Sequence, residues 1–336
     1  MAAGVRTRLI GWALVAGACD AKGEDCPGAS ASPIVLETAT GDLDGTLQLP
    51  AGCGPFAVVL IHAGSGPTDR DGNSPLLPGA NDSLKQVAAG LAERGVASVR
   101  FDKRGVGASQ TPVSEEGLRF EMLVDDAAAW VEKLAADERF TGVTIAGHSE
   151  GSLIGMLAAK QSPAAAFVAI AGLGRPAGEV IREQLSAQLS AVLFAEADAI
   201  LDALEAGVEV DEVSPALYEA FRPSVQPYLI SYLKYDPSVE VASLAIPTAI
   251  VQGTTDIQTS VKDAKLLAAA APDAQLTIIE GMNHVLKAAT LEPASQWAAY
   301  TDPSLPVVPA LFDALVAGVA GAPSRARCGG EQTGEC

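Results

Sequence analysis

Positive charge is scarce in this 336-residue chain: 22 lysines and arginines face 41 acidic side chains, for a formal net charge of −19. Nucleic-acid binding needs a basic stripe, and none is present, so that class of partner is excluded. Histidine occurs only three times, so a histidine base must be His62, His148 or His284. Cysteine is limited to five residues, none spaced as zinc ligands, and no metal is expected. The 33 glycines show no three-residue period, which removes a collagen-like chain. The glycines at 105 and 107 sit outside any G-x-x-x-x-G-K-[ST] run and no dinucleotide fingerprint follows the first strand, so no nucleotide cofactor is expected.

What is present is enough for a sizeable core: 49% of residues are hydrophobic and 19% charged. The acidity reads as a solvated face that would repel a strongly anionic substrate. Arg6 and Arg8 precede an apolar run over residues 9–18, too short to cross a bilayer as a mature helix, and small residues follow. Val15-Ala16-Gly17-Ala18-Cys19 resembles a bacterial lipoprotein processing site, with Ala16 where leucine is usual. Residues 1–19 are therefore expected to be an export signal with Cys19 as the lipid attachment point, which implies membrane anchoring or a periplasmic or extracellular location. In an oxidising compartment Cys26, Cys53, Cys328 and Cys336 allow three full pairings, and a bond between the two chain ends is attractive.

Residues 20–33 are small and polar and read as a tether. Alternation over residues 34–49 suggests an edge hairpin. The apolar run over 56–62 suits an interior strand covered on both faces. Helices are expected over 83–94, closed by Gly95, and over 120–135, with strands at 96–101, 143–146 and 165–171. Later come strands at 248–251 and 276–279, a helix over 260–270 and a final helix over 307–319. Strand-helix alternation means parallel βαβ units, so the fold class is α/β. Residues 175–243 offer no central strand. Their helical stripes, with Ser214-Pro215 as an expected helix start, read as a helical cap inserted into a core made of residues 34–174 and 244–320. The tail over 321–336 reads as flexible.

The sharpest signal is Gly147-His148-Ser149-Glu150-Gly151. It follows a strand and opens a helix, the context of a nucleophile elbow. The turn at the serine is sharp, so its neighbours two residues away must be nearly without side chains. The helix N-terminus then favours negative charge developing at the site. A serine hydroxyl needs a base. His148 sits inside the turn and His62 ends an early strand, whereas His284 follows the last strand and can reach the nucleophile. Asp256 follows the preceding strand, and the order Ser149, Asp256, His284 is the one this chemistry requires on an α/β sheet. Asp273 and Glu280 are the alternative acids.

These motifs resemble the α/β-hydrolase superfamily, and within it a bacterial esterase branch similar to serine aminopeptidase-type and cinnamoyl-esterase-like hydrolases. Gly64-Ser65-Gly66-Pro67-Thr68-Asp69-Arg70-Asp71-Gly72-Asn73 resembles a run after the third strand. Asp102-Lys103-Arg104-Gly105-Val106-Gly107-Ala108-Ser109 resembles the next loop, and Gly281-Met282-Asn283-His284 the histidine loop. The resemblance implies a mostly parallel sheet flanked by helices. It also implies an oxyanion hole made by the backbone N–H groups of Glu150 and of Ser65, or of Gly64, because Ala63-Gly64 replaces the usual His-Gly pair. Asp69, Arg70 and Asp71 are expected to form a local network, with Arg70 also a candidate for substrate binding beside Phe221 and Tyr228.

The expected activity is cleavage of small to medium acyl esters by a Ser-His-Asp acyl-enzyme mechanism without a cofactor. A peptidase, in which Phe221-Arg222 binds a carboxylate, or an acyl thioesterase is the alternative within enzymes. An inactive binding protein on the same fold is the alternative outside them.

Overall fold

Eight strands form one sheet in the computed structural model, which describes residues 26–320. The strands are β1 (Ser30–Leu36), β2 (Leu43–Leu49), β3 (Phe56–His62), β4 (Ala97–Phe101), β5 (Phe140–His148), β6 (Ala166–Ile170), β7 (Thr248–Gly253) and β8 (Gln275–Ile279). Their order across the sheet is β1-β2-β4-β3-β5-β6-β7-β8. β2 is antiparallel to β1 and to β4, and all other pairs are parallel. This is the α/β-hydrolase architecture. The expected signal with Cys19, residues 20–25, Cys328, Cys336 and the tail lie outside the described residues.

The helices are α1 (Ser83–Ala92), α2 (Phe120–Ala135), α3 (Glu150–Lys160), α4 (Ala177–Gln188), α5 (Ala191–Glu205), α6 (Tyr218–Phe221), α7 (Gln226–Leu233), α8 (Pro237–Ala242), α9 (Val261–Ala270), α10 (Pro293–Thr301) and α11 (Pro309–Ala320). Alternate residues of β3 feed the two sides of the sheet. Val58 and Leu60 join Trp130 and Leu134 of α2 and Ile154 of α3. Val59 and Ile61 join Leu84 and Val87 of α1 and Leu311 of α11. An unbroken apolar run is what a strand needs when both faces are covered.

Several boundaries differ from expectation. β5 runs three residues earlier than its apolar stretch, because β3 beside it pairs with Phe140 and Gly142 regardless of propensity. Ser30 to Pro33, read as tether, pair with β2 as the start of β1. Ser214-Pro215 does not begin a helix; a turn follows, and α6 starts only at Tyr218. Helix α10 was not anticipated, since it buries only Gln296 and Ala299 and so carries no apolar stripe.

Helices α4 to α8 lie between β6 and β7. The short α8 packs on α3 and α9 in the layer beside the sheet, so the inserted layer is α4 to α7. Arg182 pins α4 to α5 through Asp198 at 2.7 Å, Asp202 at 2.6 Å and Glu205 at 2.7 Å. Cys26 is bonded to Cys53, so its partner is not a cysteine of the opposite chain end. The glycine-containing loop after β2 brings Cys53 there, and the Gly52 N–H donates to the Pro27 carbonyl at 3.0 Å.

Candidate active site

The parallel strands end in loops that carry the candidate serine, acid and histidine and the segments around them. Ser149 follows β5, Asp256 follows β7, His284 follows β8, residues 63–66 follow β3 and Lys103 follows β4. Ser149 has φ 56° and ψ −123°, a conformation that side chains other than glycine rarely adopt. The glycines around it are required by contact. A Cβ at Gly151 would lie 2.6 Å from the Ala63 carbonyl oxygen and 2.7 Å from that of His62, and one at Gly147 would strike the Gly151 backbone. The elbow is thereby pressed against the end of β3. A Cβ at Gly64 would lie 3.1 Å from the Ser149 Cβ, so the backbone of residue 64 borders the serine.

His284 Nδ1 and Asp256 Oδ2 are 2.9 Å apart, with both side chains buried. Burial alone would raise the Asp256 carboxyl, but the His284 ring and the amides of Thr259 and Gln258 outweigh it and hold the group at about 2. Asp256 also accepts from the Thr259 hydroxyl at 2.9 Å and from Gln252 Nε2 at 3.1 Å. Its orientation is thus set from several directions. Asp273 and Glu280 are exposed and do not take this place.

His148, set aside as a base on the sequence, has a different task. Its Nε2–H donates to the His284 carbonyl at 2.8 Å, and the two rings are 4.8 Å apart. The residue beside Ser149 therefore seats the loop that carries His284. Burial holds the His148 imidazole down at about 3, so it stays neutral with its proton on Nε2. His62 is also buried and held at about 3 by burial and by the nearby Lys103 charge, and its Nδ1–H donates to the Ala63 carbonyl at 2.9 Å.

The segment after β3 is held from beneath. Lys103 Nζ donates to the carbonyl of Gly64 and, at 2.9 Å, to that of Gly66. Burial lowers the Lys103 ammonium, and the Glu150 carboxylate pulls the other way. Burial raises the Glu150 carboxyl, against the Lys103 charge and the nearby Tyr228 hydroxyl. Tyr228 comes from α7, so the inserted helices touch the elbow directly.

A cavity of about 390 Å³ lies beside this cluster. Glu150, Lys103 and Tyr228 line it together with Val106, Leu118 and Leu123. Of the substrate-binding candidates, only Tyr228 is placed there. Arg70 is not among the lining residues: its backbone N–H donates to Asp102 Oδ1 at 2.8 Å, and its guanidinium pairs with Asp102 Oδ2 at 2.9 Å. Asp69 accepts from the Asp71 and Asn73 amides, and Asp71 pairs with Arg100 at 2.7 Å, so the run is a local network. Phe221 is 2% exposed and packs in the core. Arg222 does line the cavity, but it is paired with Glu115. Among the described residues, no group of three His, Cys, Asp or Glu side chains is placed to hold a metal ion.

Fold and site together define an α/β protein with a strained serine and a histidine–carboxylate pair at one sheet edge. A family model described as serine aminopeptidase, S33, matches residues 78–203. Over those residues the chain is similar to that family, and its fold is that of the α/β hydrolases. It is 29% identical over 249 residues to the esterase EstD of Thermotoga maritima, a match that covers 73% of this chain and 58% of that protein. In fold it is similar to Est1E of Butyrivibrio proteoclasticus with bound ferulic acid. That match has a TM-score of 0.58 at 17% identity and covers 85% of this chain and 99% of Est1E. A hydrolase from Pseudomonas aeruginosa is similar at TM-score 0.53 and 16% identity, over 87% of this chain and 99% of that one.

Proposed function

We propose that this chain is a serine carboxylesterase acting on small to medium acyl esters, with Ser149 as nucleophile, His284 as general base and Asp256 as the orienting acid. The observation that carries this reading is the 2.9 Å contact between His284 Nδ1 and Asp256, on a loop that His148 ties to the strained serine turn. With Nδ1–H donating to Asp256, Nε2 is left to take the Ser149 proton as the hydroxyl attacks the ester carbonyl. The oxyanion sits between the backbone N–H groups of Glu150 and Ser65 or Gly64. His284 then protonates the leaving alcohol, and water repeats the sequence on the acyl-enzyme.

Helices α4 to α7 act as the cap, with Tyr228 reaching the elbow. The cavity volume lies near the low end of the ordinary range for small-molecule sites, which suits short acyl or alcohol groups. The pairing of Arg222 with Glu115 weighs against carboxylate recognition and so against a peptidase.

Labelling with a fluorophosphonate probe tests the nucleophile: the wild type labels and Ser149→Ala does not. Turnover of p-nitrophenyl esters of rising acyl length, beside aminoacyl amides and acyl thioesters, tests the substrate class. A well-folded wild type that neither labels nor cleaves esters overturns the proposal in favour of a binding protein.

Export and lipid attachment at Cys19 complete the reading. The Cys26–Cys53 bond supports an oxidising compartment. Loss of the chain from the membrane fraction in Cys19→Ser is the expected result, and an unchanged distribution overturns it.

A further inference from the structure

Lys103 is a buried cation next to a site where negative charge is expected to develop, and the acyl-transfer scheme above leaves it without a role. Its side chain is nearly inaccessible, at 4% exposure, so its ammonium has given up water. Such a charge needs compensation from hydrogen bonds or countercharge. Its two hydrogen bonds go to the carbonyls of Gly64 and Gly66, and the Glu150 carboxylate favours the charged form electrostatically. Gly66 adopts φ 65°, the left-handed conformation in which the segment presents both carbonyls to one cation.

The geometry has a direct consequence for the N–H of Ser65. The Gly64 carbonyl and the Ser65 N–H belong to the same planar peptide unit, and the two groups point in opposite directions. A cation fastened to the carbonyl therefore aims the N–H away from itself. It also polarises the peptide, which makes the N–H a stronger donor, and low local dielectric enlarges that effect. The other proposed oxyanion donor is the backbone N–H of Glu150, whose carboxylate favours the charge on Lys103.

We propose that Lys103 is a positioning residue that locks and polarises the Gly64–Ser65 peptide as an oxyanion donor. The proposal rests on the serine-esterase reading and selects Ser65, rather than Gly64, as the donor.

The test compares wild type with Lys103→Met, which keeps the length and removes the charge. The readouts are steady-state turnover of p-nitrophenyl butyrate, inhibition by n-butylboronic acid as a tetrahedral mimic, and fluorophosphonate labelling of Ser149. The expected result is a fall in kcat of roughly a hundredfold, as for loss of one oxyanion donor, with KM changed less than about threefold. Boronate affinity should weaken by a similar factor, because the interaction belongs to the transition state. If Lys103→Met melts below the assay temperature, Lys103→Gln takes its place; it keeps a neutral donor, and its kcat should fall about tenfold.

A folded variant with wild-type kcat and boronate affinity overturns the proposal while leaving the nucleophile assignment intact. A rise in KM with unchanged kcat also overturns it, since Lys103 would then bind substrate in the cavity. A wild type that neither labels nor turns over overturns the esterase reading and this inference with it.

Discussion

His148 Nε2–H donates to the His284 carbonyl at 2.8 Å, so the side chain beside Ser149 fixes the loop that holds the proposed base. His148→Ala removes that bond and leaves a buried carbonyl unsatisfied, a loss of about 1–3 kcal/mol of stability. Because the bond to Asp256 remains, kcat should fall only about tenfold, on the order of one hydrogen bond's net worth, with KM little changed. Steady-state kinetics and a thermal melt check both numbers.

Acid lability should begin well above the range in which carboxylates titrate. Burial holds both His62 and His148 at about 3 in the folded chain, against 6.5 when exposed. Between those values the unfolded chain binds protons that the folded chain refuses, so stability is present above about pH 6.5 and falls as the pH drops toward 3. Each histidine contributes a slope of about 1.4 kcal/mol per pH unit. Urea melts from pH 7 to 5 should show this slope, and His62→Asn should reduce it by about half.

Asp256 gives a second, lower window. Its carboxyl is held at about 2, below the ordinary 3.8, so its stabilising contribution is present above pH 4 and is lost as the pH falls from about 4 toward 2. Asp256→Asn should flatten that part of the stability curve. It should also lower kcat by up to roughly 10⁴-fold, because the imidazole is then held in the wrong tautomer. Denaturation midpoints below pH 4 and turnover at neutral pH read the two effects separately.

Cys26 and Cys53 close a loop with a sequence separation of 27. Chain entropy assigns such a cross-link about 3.5 kcal/mol. Cys53→Ser, or reduction of the wild type, should lower the melting temperature while leaving kcat unchanged, since the bond lies away from the strand ends that carry the site. Calorimetry with and without reductant measures the shift.

Phe221 and Tyr228 both belong to the inserted helices and were candidates for the same task, yet they should respond oppositely. Phe221→Ala empties a core position and should cost about 3–5 kcal/mol of stability. Tyr228→Phe loses only the hydroxyl near Glu150, and should change kcat or acyl-length preference with little effect on stability. Melts and ester panels on the two variants separate packing from pocket.

Much of the sheet was legible because its strands are nearly continuous apolar runs with both faces covered, as in β3 and β6. The elbow was legible for a different reason: only glycine fits at 147 and 151, so crowding leaves a mark in the sequence. The early residues of β5 and the whole of α10 leave no such mark. The first depends on pairing with β3, and the second exposes most of its surface. The burial of Phe221 was hidden as well, since an apolar side chain on a short helix looks the same whether it faces a pocket or a core.

Local chemistry is what the sequence determined by itself: the strand-turn-helix at Ser149, the parallel βαβ order, and the succession of serine, aspartate and histidine. The first two depend on residues near one another in the chain, and the third only on order along it. Tertiary structure alone decided which long-range pairs meet, namely His148 with the His284 carbonyl, Lys103 with the Gly64 carbonyl, and Cys26 with Cys53. Each such contact joins loops brought together by strand order and packing, and side-chain periodicity carries no record of which distant loop lies across the gap.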